Sequence, residues 1–458
     1  MSRGVSRDVS AGASGGADGV NAAAARSCEV AIVGGGMVGA SLALALAGTG
    51  RQLVLIEAVE PHSAAQPSFD ERTTALGNGA RRIFETLGVW DAIATQAAPI
   101  RHIHVSDAGH FGFARLEAAA HELPAFGYTV SNRHLGRVLW QALRERGGIE
   151  LLSPARLSAV ALAPDAAILT VQQGPPAPHE QGHGHGETLT LRARLAVAAD
   201  GAHSLVKQAA GIASSSTDYQ QVALVANLRT DSGAQAIAYE RFTDTGPLAL
   251  LPRHDGGYAM IWTVAPAAAG ALLACSESEF RDQLQRRFGW RAGRIQQVGA
   301  RASYPLSLVQ AHSSVGARTA LIGNASQALH PIAAQGFNLG LRDAAVLAEL
   351  IAAAEDPGAD AVLAQFARRR APDRRGMVGF TDRLVKLFSD QRGAVAAARD
   401  LGLLLFDVSM PAKRALSRLS WGFGALPRLS RGLPLPPRPA QAQAQESASA
   451  GARRRGRD

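Results

Sequence analysis

The ordered pattern of the chain begins at Glu29. Val30-Ala31-Ile32-Val33 is a short apolar run that stops at Gly34, as expected of a strand buried on both faces. Small apolar residues from Ala40 to Ala47 predict a helix, and Leu53-Val54-Leu55-Ile56 predicts a second strand closing on Glu57. The uncharged stretch 30–50 has the length of a membrane span. Its six glycines, four of them within 34–39, favour strand, turn and helix instead. Further along, 74–87 and 135–146 read as helices. Residues 193–199 read as a strand running into Asp200-Gly201, and 320–322 as another buried strand. A long helix is expected over 338–354. Residues 221–265 alternate and carry Tyr, Phe and Trp, as an antiparallel sheet would.

Strand–turn–helix units beside a block of alternating strands predict an α/β protein: a Rossmann-like dinucleotide-binding domain, an inserted antiparallel-sheet substrate domain and a C-terminal helical segment. The expected bounds are a disordered leader over 1–27; a discontinuous nucleotide domain from 28–105, 125–215 and 301–390; and a substrate domain from 106–124 with 216–300. A helical segment over 391–431 and a basic disordered tail over 432–458 complete the chain.

Composition narrows the function classes. The chain of 458 residues is 47% hydrophobic and 19% charged, which is globular. Two cysteines, Cys28 and Cys275, exclude a disulfide framework and a Cys-based zinc site. His179, His183 and His185 fall in a Gly/Pro-rich segment, which reads as a hairpin tip; no metal site is expected. Most of the net charge of +9 sits in residues 392–458, where twelve Arg and Lys face four Asp and Glu. A neutral body with 5% aromatics argues against nucleic-acid binding. The basic C-terminus is either a solvated face or a surface for anionic partners.

The strongest motif is Gly34-Gly35-Gly36-Met37-Val38-Gly39, a G-x-G-x-x-G pattern between strand and helix. Gly34 permits the tight turn, Gly36 lets a pyrophosphate approach the backbone, and Gly39 lets the helix pack on the strand. Glu57 ends the next strand, where a carboxylate can accept from a ribose hydroxyl. No Ser-His-Asp, Walker or paired-carboxylate pattern supports a hydrolase or kinase.

Three further segments carry a family likeness. They are Phe69-Asp70-Glu71-Arg72-Thr73-Thr74-Ala75-Leu76, Ala199-Asp200-Gly201-Ala202-His203-Ser204, and Gly323-Asn324-Ala325-Ser326 through His330-Pro331 to Gln335-Gly336-Phe337-Asn338-Leu339-Gly340-Leu341-Arg342-Asp343. With them the chain resembles the aromatic-ring flavoprotein monooxygenases, and among these the ubiquinone-biosynthesis hydroxylases, over about 29–424. Glu240-Arg241-Phe242-Thr243, Gly246-Pro247-Leu248 and Phe288-Gly289-Trp290-Arg291 extend the likeness into the substrate domain and lean toward the branch acting on 2-polyprenyl-6-methoxyphenol.

The resemblance implies non-covalent FAD, with NAD(P)H or another donor as transient reductant and O2 as co-substrate. It implies hydroxylation of a polyprenylated phenol at C1 through a flavin C4a-hydroperoxide. Gly34, Gly36, Gly39 and Glu57 would hold the ADP half. Arg72 and Asn132 would sit near the pyrophosphate, Asp200 and Gly201 at the cofactor, and Asn324 near the ribitol. Pro331, Gln335, Gly336 and Asn338 would lie beside the flavin ring. His330 is an acid/base candidate or a structural histidine. Tyr239, Phe242, Tyr258 and Trp262 either line an aromatic pocket or pack as strand core. Asn132 stands where the group usually has Arg or Gln, and Ala334 where it has Gly. Arg342 and Asp343 are expected to fix their helix. The location implied is cytoplasmic, peripheral at the inner face of the membrane, with a homo-oligomer or a quinone-biosynthesis complex as partners. The alternatives are a sister hydroxylase acting at another ring carbon, or a non-hydroxylating reductase or assembly partner on the same scaffold.

Overall fold

The computed structural model describes residues 25–436, apart from 62, 64–65, 67, 110–111, 175–186, 330–334, 390–400, 403–404, 408 and 419–424. The three-histidine segment, His330, Pro331, Ala334, residues 1–24 and the tail from 437 lie outside the described residues.

The first strand, β1, spans Arg26–Val33, followed by helix α1 at Met37–Leu46 and strand β2 at Leu53–Ile56. Arg26 and Ser27 are therefore strand, inside the expected leader. They pair with Leu191 and Arg192, and the Arg26 guanidinium meets Glu150 at 2.5 Å. The parallel core runs Thr319–Leu321, Thr188–Ala198, β1, β2, Ile149–Leu152. Val30, Ala31 and Ile32 are fully buried because helices cover one face and the antiparallel pair Ala155–Leu162 and Ala167–Gln173 helps close the other. α1 carries the small residues Gly39, Ala40, Ser41 and Ala43, and it packs against both Asn132–Arg146 and Gly336–Ala353.

Four of the motif positions found in the sequence follow strands of this core. Gly34 follows β1, Glu57 follows β2, Asp200 follows Thr188–Ala198, and Asn324 follows Thr319–Leu321. They gather at the carboxyl edge of one parallel sheet, where open α/β sheets bind ligands.

Among the described residues the second sheet has nine strands, antiparallel except where Ile237–Thr243 runs parallel to His102–Asp107. It takes in His102–Asp107 and Ala302–Ala311, beyond the bounds 106–124 and 216–300 drawn from the sequence. Pairing across the chain, not local composition, sets that edge. The expected helix over 74–87 is half strand: Thr73–Gly77 pairs with Gly127–Ser131, and the helix is Asn78–Thr86. The β-branched Thr73 and Thr74 favour the strand, and Gly77 caps the helix.

Candidate cofactor site and active-site cleft

The glycine turn is sterically committed. Gly34 has φ +100°, and a Cβ there would stand 2.5 Å from the Ala199 carbonyl oxygen. A Cβ on Gly39 would stand 1.9 Å from the Gly34 oxygen, so only glycine lets α1 sit on the turn. Gly36 caps α1 without a side chain, and the first turn carries no acid. Its orphan N–H groups thus remain available to an anion.

Glu57 is buried beside that turn. Its carboxylate accepts the N–H of Gly35 at 2.6 Å, that of Val59 at 2.9 Å, and Nε2 of Gln66 at 3.2 Å. Trp140 donates from Nε1 to the Gly35 carbonyl at 2.9 Å. Gly35 is held from both sides.

Arg72 pairs with Asp70 at 2.5 Å and lies over the Tyr304 ring at 4.6 Å. Asn132 accepts from Thr74 Oγ1 at 2.6 Å and donates to Asp70 at 3.3 Å. Burial pushes the Asp200 carboxyl above the ordinary aspartate range, against hydrogen bonds from Ser204 and the Leu205 N–H. Gly201 follows with φ +87°. The helix Gly336–Ala353 starts after Gln335 with no side-chain cap and no acid in its first turn.

These groups surround a cavity of about 1150 Å³. Gly34, Gly36, Glu57, Arg72, Asn132, Asp200, Gly201, Asn324 and Gly336 all line it. Gly39 and Asn338 stand behind the wall. The Asn338 side chain accepts from the Gly77 N–H and donates to the Ala75 carbonyl, both at 2.8 Å, and so clips the helix to a strand. On the opposite side the large sheet contributes the apolar residues Val225, Leu251, Ala259 and Ile261, with Asn227 beside them.

Tyr239, Tyr258 and Trp262 are not part of that wall. They pack with Phe280, Leu284 and Phe288 on the sheet's far side, while Phe242 meets Val105, Tyr219 and Leu384. Arg342 and Asp343 are buried in ion pairs: Arg342 with Asp373 at 2.6 Å, Asp343 with Arg370 at 2.7 Å. They fasten Gly336–Ala353 to the helix Asp360–Ser389. Sequence reasoning missed Trp140, Gln66 and Tyr304. Trp140 and Tyr304 act on motif residues far along the chain, and Gln66 acts on Glu57 across a loop; no motif spacing marks any of them.

An uncapped helix N-terminus over a glycine turn, a carboxylate at the end of the second strand and a long cleft beyond them fit a dinucleotide with a pyrophosphate. The chain matches the FAD binding domain family over residues 27–381. It is 37% identical over 424 residues to ubiquinone hydroxylase UbiL of Rhodospirillum rubrum, covering 91% of this chain and 95% of that protein. It is 31% identical over 402 residues to 3-demethoxyubiquinol 3-hydroxylase of Escherichia coli, covering 86% and 98%. Among solved structures, p-nitrophenol 4-monooxygenase PnpA from Pseudomonas putida shares the fold with TM-score 0.70 at 20% identity, covering 86% of this chain and 97% of that one. Fold and site define an FAD-dependent aromatic-ring monooxygenase. The chain belongs to the ubiquinone-biosynthesis flavoprotein hydroxylase family.

Proposed function

We propose that the protein hydroxylates the aromatic ring of a polyprenylated phenol in ubiquinone synthesis, at C1 of 2-polyprenyl-6-methoxyphenol. The observation that carries the reading is an apolar sheet face closing the same cleft that the nucleotide motifs open, in a chain alike over its length to ubiquinone hydroxylases. FAD, when bound, supplies the redox chemistry that activates O2 with electrons from NAD(P)H. The α1 N-terminus and the glycine turn would hold its pyrophosphate, Glu57 a ribose hydroxyl, and Arg72 and Asn132 the approach to the pyrophosphate. Asp200, Asn324 and Gly336 would lie along the flavin half. Val225, Leu251 and Ile261 would exclude water from the ring to be hydroxylated.

The Escherichia coli relative is named for hydroxylation at position 3, and that favours a second reading, a sister activity at another ring carbon. We also propose a peripheral membrane contact for a long-chain substrate. No helix among the described residues is long and apolar enough to cross a membrane.

Purified protein supplied with FAD, NAD(P)H and a short-chain 2-prenyl-6-methoxyphenol should take up O2 and yield the C1-hydroxylated product. Cells lacking the gene should accumulate 2-polyprenyl-6-methoxyphenol. Accumulation of a later or earlier intermediate transfers the assignment to the second reading. Reduction of the substrate without O2 uptake identifies a reductase instead.

A further inference from the structure

The strand Ile237–Thr243 has two unlike faces. Tyr239 Oη donates to the Arg291 carbonyl and Arg241 Nε to the Arg287 carbonyl, both at 3.1 Å, on the side away from the cavity. The two-residue repeat turns Ala238, Glu240 and Phe242 the other way. Ala238 packs with Ile100, Leu251 and Ala259, and the last two line the cavity. Glu240 comes next on that face. It is half-buried, with Ala249 and Val105 as its cross-strand neighbours. Ala249 in turn pairs with the cavity-lining Ile261. An acid thus interrupts an otherwise apolar row that runs into the cleft. Among the described residues, no donor or cation is paired with it.

We propose that Glu240 accepts the phenolic proton of the substrate, on the reading that the substrate is a phenol held against this sheet face. The phenol O–H bond breaks, and its proton forms an O–H bond on a Glu240 carboxylate oxygen. The electron pair left on the phenolate oxygen enriches the ring carbon to be hydroxylated. Glu240 then returns the proton to water as product leaves.

Burial raises the Glu240 carboxyl to about 7. A phenol titrates near 10 and an ordinary glutamate near 4.3, a gap of about six units. Raising the acid to about 7 roughly halves the gap, which suits a general base. On His102–Asp107 the register puts Asp107 on Glu240's face and His102 and His104 on the other. The turn of Asp360–Ser389 that meets Phe242 through Leu384 carries Asp382 and Arg383, and Tyr219 donates to Asp382 at 3.4 Å. Gly246–Pro252 contributes none. No charge is among the causes of the Glu240 shift, only burial.

The test compares FAD-loaded parent and Glu240→Gln protein, measuring product, peroxide, kcat and KM between about pH 5 and 9. The parent should lose kcat as pH falls through about 7. Glu240→Gln should lose roughly 100-fold in kcat, keep FAD, and lack that acid limb. A ring-fluorinated, more acidic phenol should recover part of the variant's rate. The same phenol should weaken the parent's dependence on pH, a readout that stands even if the variant folds poorly. A parent that hydroxylates, beside a variant equal to it in kcat and pH profile, overturns the assignment alone. A parent that binds FAD and hydroxylates no prenylated phenol overturns both this assignment and the function on which it rests.

Discussion

The Glu57 carboxylate accepts the Gly35 N–H at 2.6 Å, so the acid that ends β2 also closes the glycine turn that ends β1. Loss of the carboxylate should therefore do two things: remove the proposed ribose acceptor and release the turn. A hydrogen bond to a charged group contributes about 1.5–3 kcal/mol, roughly 10-fold or more in affinity. Glu57→Ala should lose that much FAD affinity by fluorescence titration, and Glu57→Gln, which keeps an acceptor oxygen, should lose less. Equal affinity in all three proteins removes Glu57 from the cofactor site.

Trp140 holds the same residue from behind, through its carbonyl. Trp140→Phe keeps most of the buried ring and leaves the Gly35 oxygen without that donor. An orphaned buried acceptor costs about 1–3 kcal/mol. We expect a lower melting temperature and a several-fold weaker FAD complex. A variant with unchanged melting and unchanged affinity shows that the turn is rigid without it.

The parts of this site that were legible are those whose physics is local. Gly34 is required by its own φ of +100°, and Gly39 by a clash with the Gly34 oxygen. Glu57 and Asp200 are marked by the strands that end at them. The register of the large sheet was not legible, because Ile237–Thr243 meets His102–Asp107 across more than a hundred residues. Tyr239, Tyr258 and Trp262 fit a pocket lining and a strand core equally well until that register turned them to the far side. Asn338 sits in the right segment, yet its amide is spent on Ala75 and Gly77, partners that only the folded chain supplies. Residues 74–77 read as helix from the sequence, because their strand partner, Gly127–Ser131, lies far along the chain.

The cleft-facing helix Gly336–Ala353 is anchored by buried charge. Arg370 bridges Asp343 and Asp373, both at 2.7 Å, and Asp373 also takes Arg342. Removing one partner of such a pair strands the other and costs about 3–5 kcal/mol. Asp373→Ala should lower stability by that amount in denaturant unfolding and loosen FAD. Burial pushes the Asp343 carboxyl upward, but Arg374 and Arg370 outweigh it and hold it below the ordinary 3.8. A depressed folded value means its contribution is present above the unfolded value and fades as pH falls through the folded one. Parent stability should thus fall in acid below about 3.8, whereas Asp343→Asn should be weaker at neutral pH and flatter in acid. A parent and variant with parallel pH–stability curves contradict the linkage.

The C-terminal segment carries the proposed membrane contact, and the structure divides its cations by role. Lys413 meets Asp407 at 2.9 Å, and Asp407 accepts the Arg115 N–H at 2.7 Å. Phe406 packs beside them on Leu116 and Phe126. Lys413 therefore fastens the segment to the sheet edge. Arg414 is exposed, and Leu401 and Leu405 are 57% and 58% exposed. Exposed leucines beside cations suit an interfacial surface, apolar toward the acyl boundary and basic toward anionic headgroups. Each cation near such a surface contributes about 1 kcal/mol, so Arg414→Gln with Arg418→Gln should weaken binding to anionic vesicles roughly 30-fold at low salt. Leu405→Ser should weaken it in a salt-independent way. Lys413→Gln should instead lower the melting temperature. FAD content should stay at the parent level in the other two. Parent protein that ignores anionic vesicles, or variants that bind them as the parent does, would end the membrane-surface reading and leave delivery of the substrate to a partner protein.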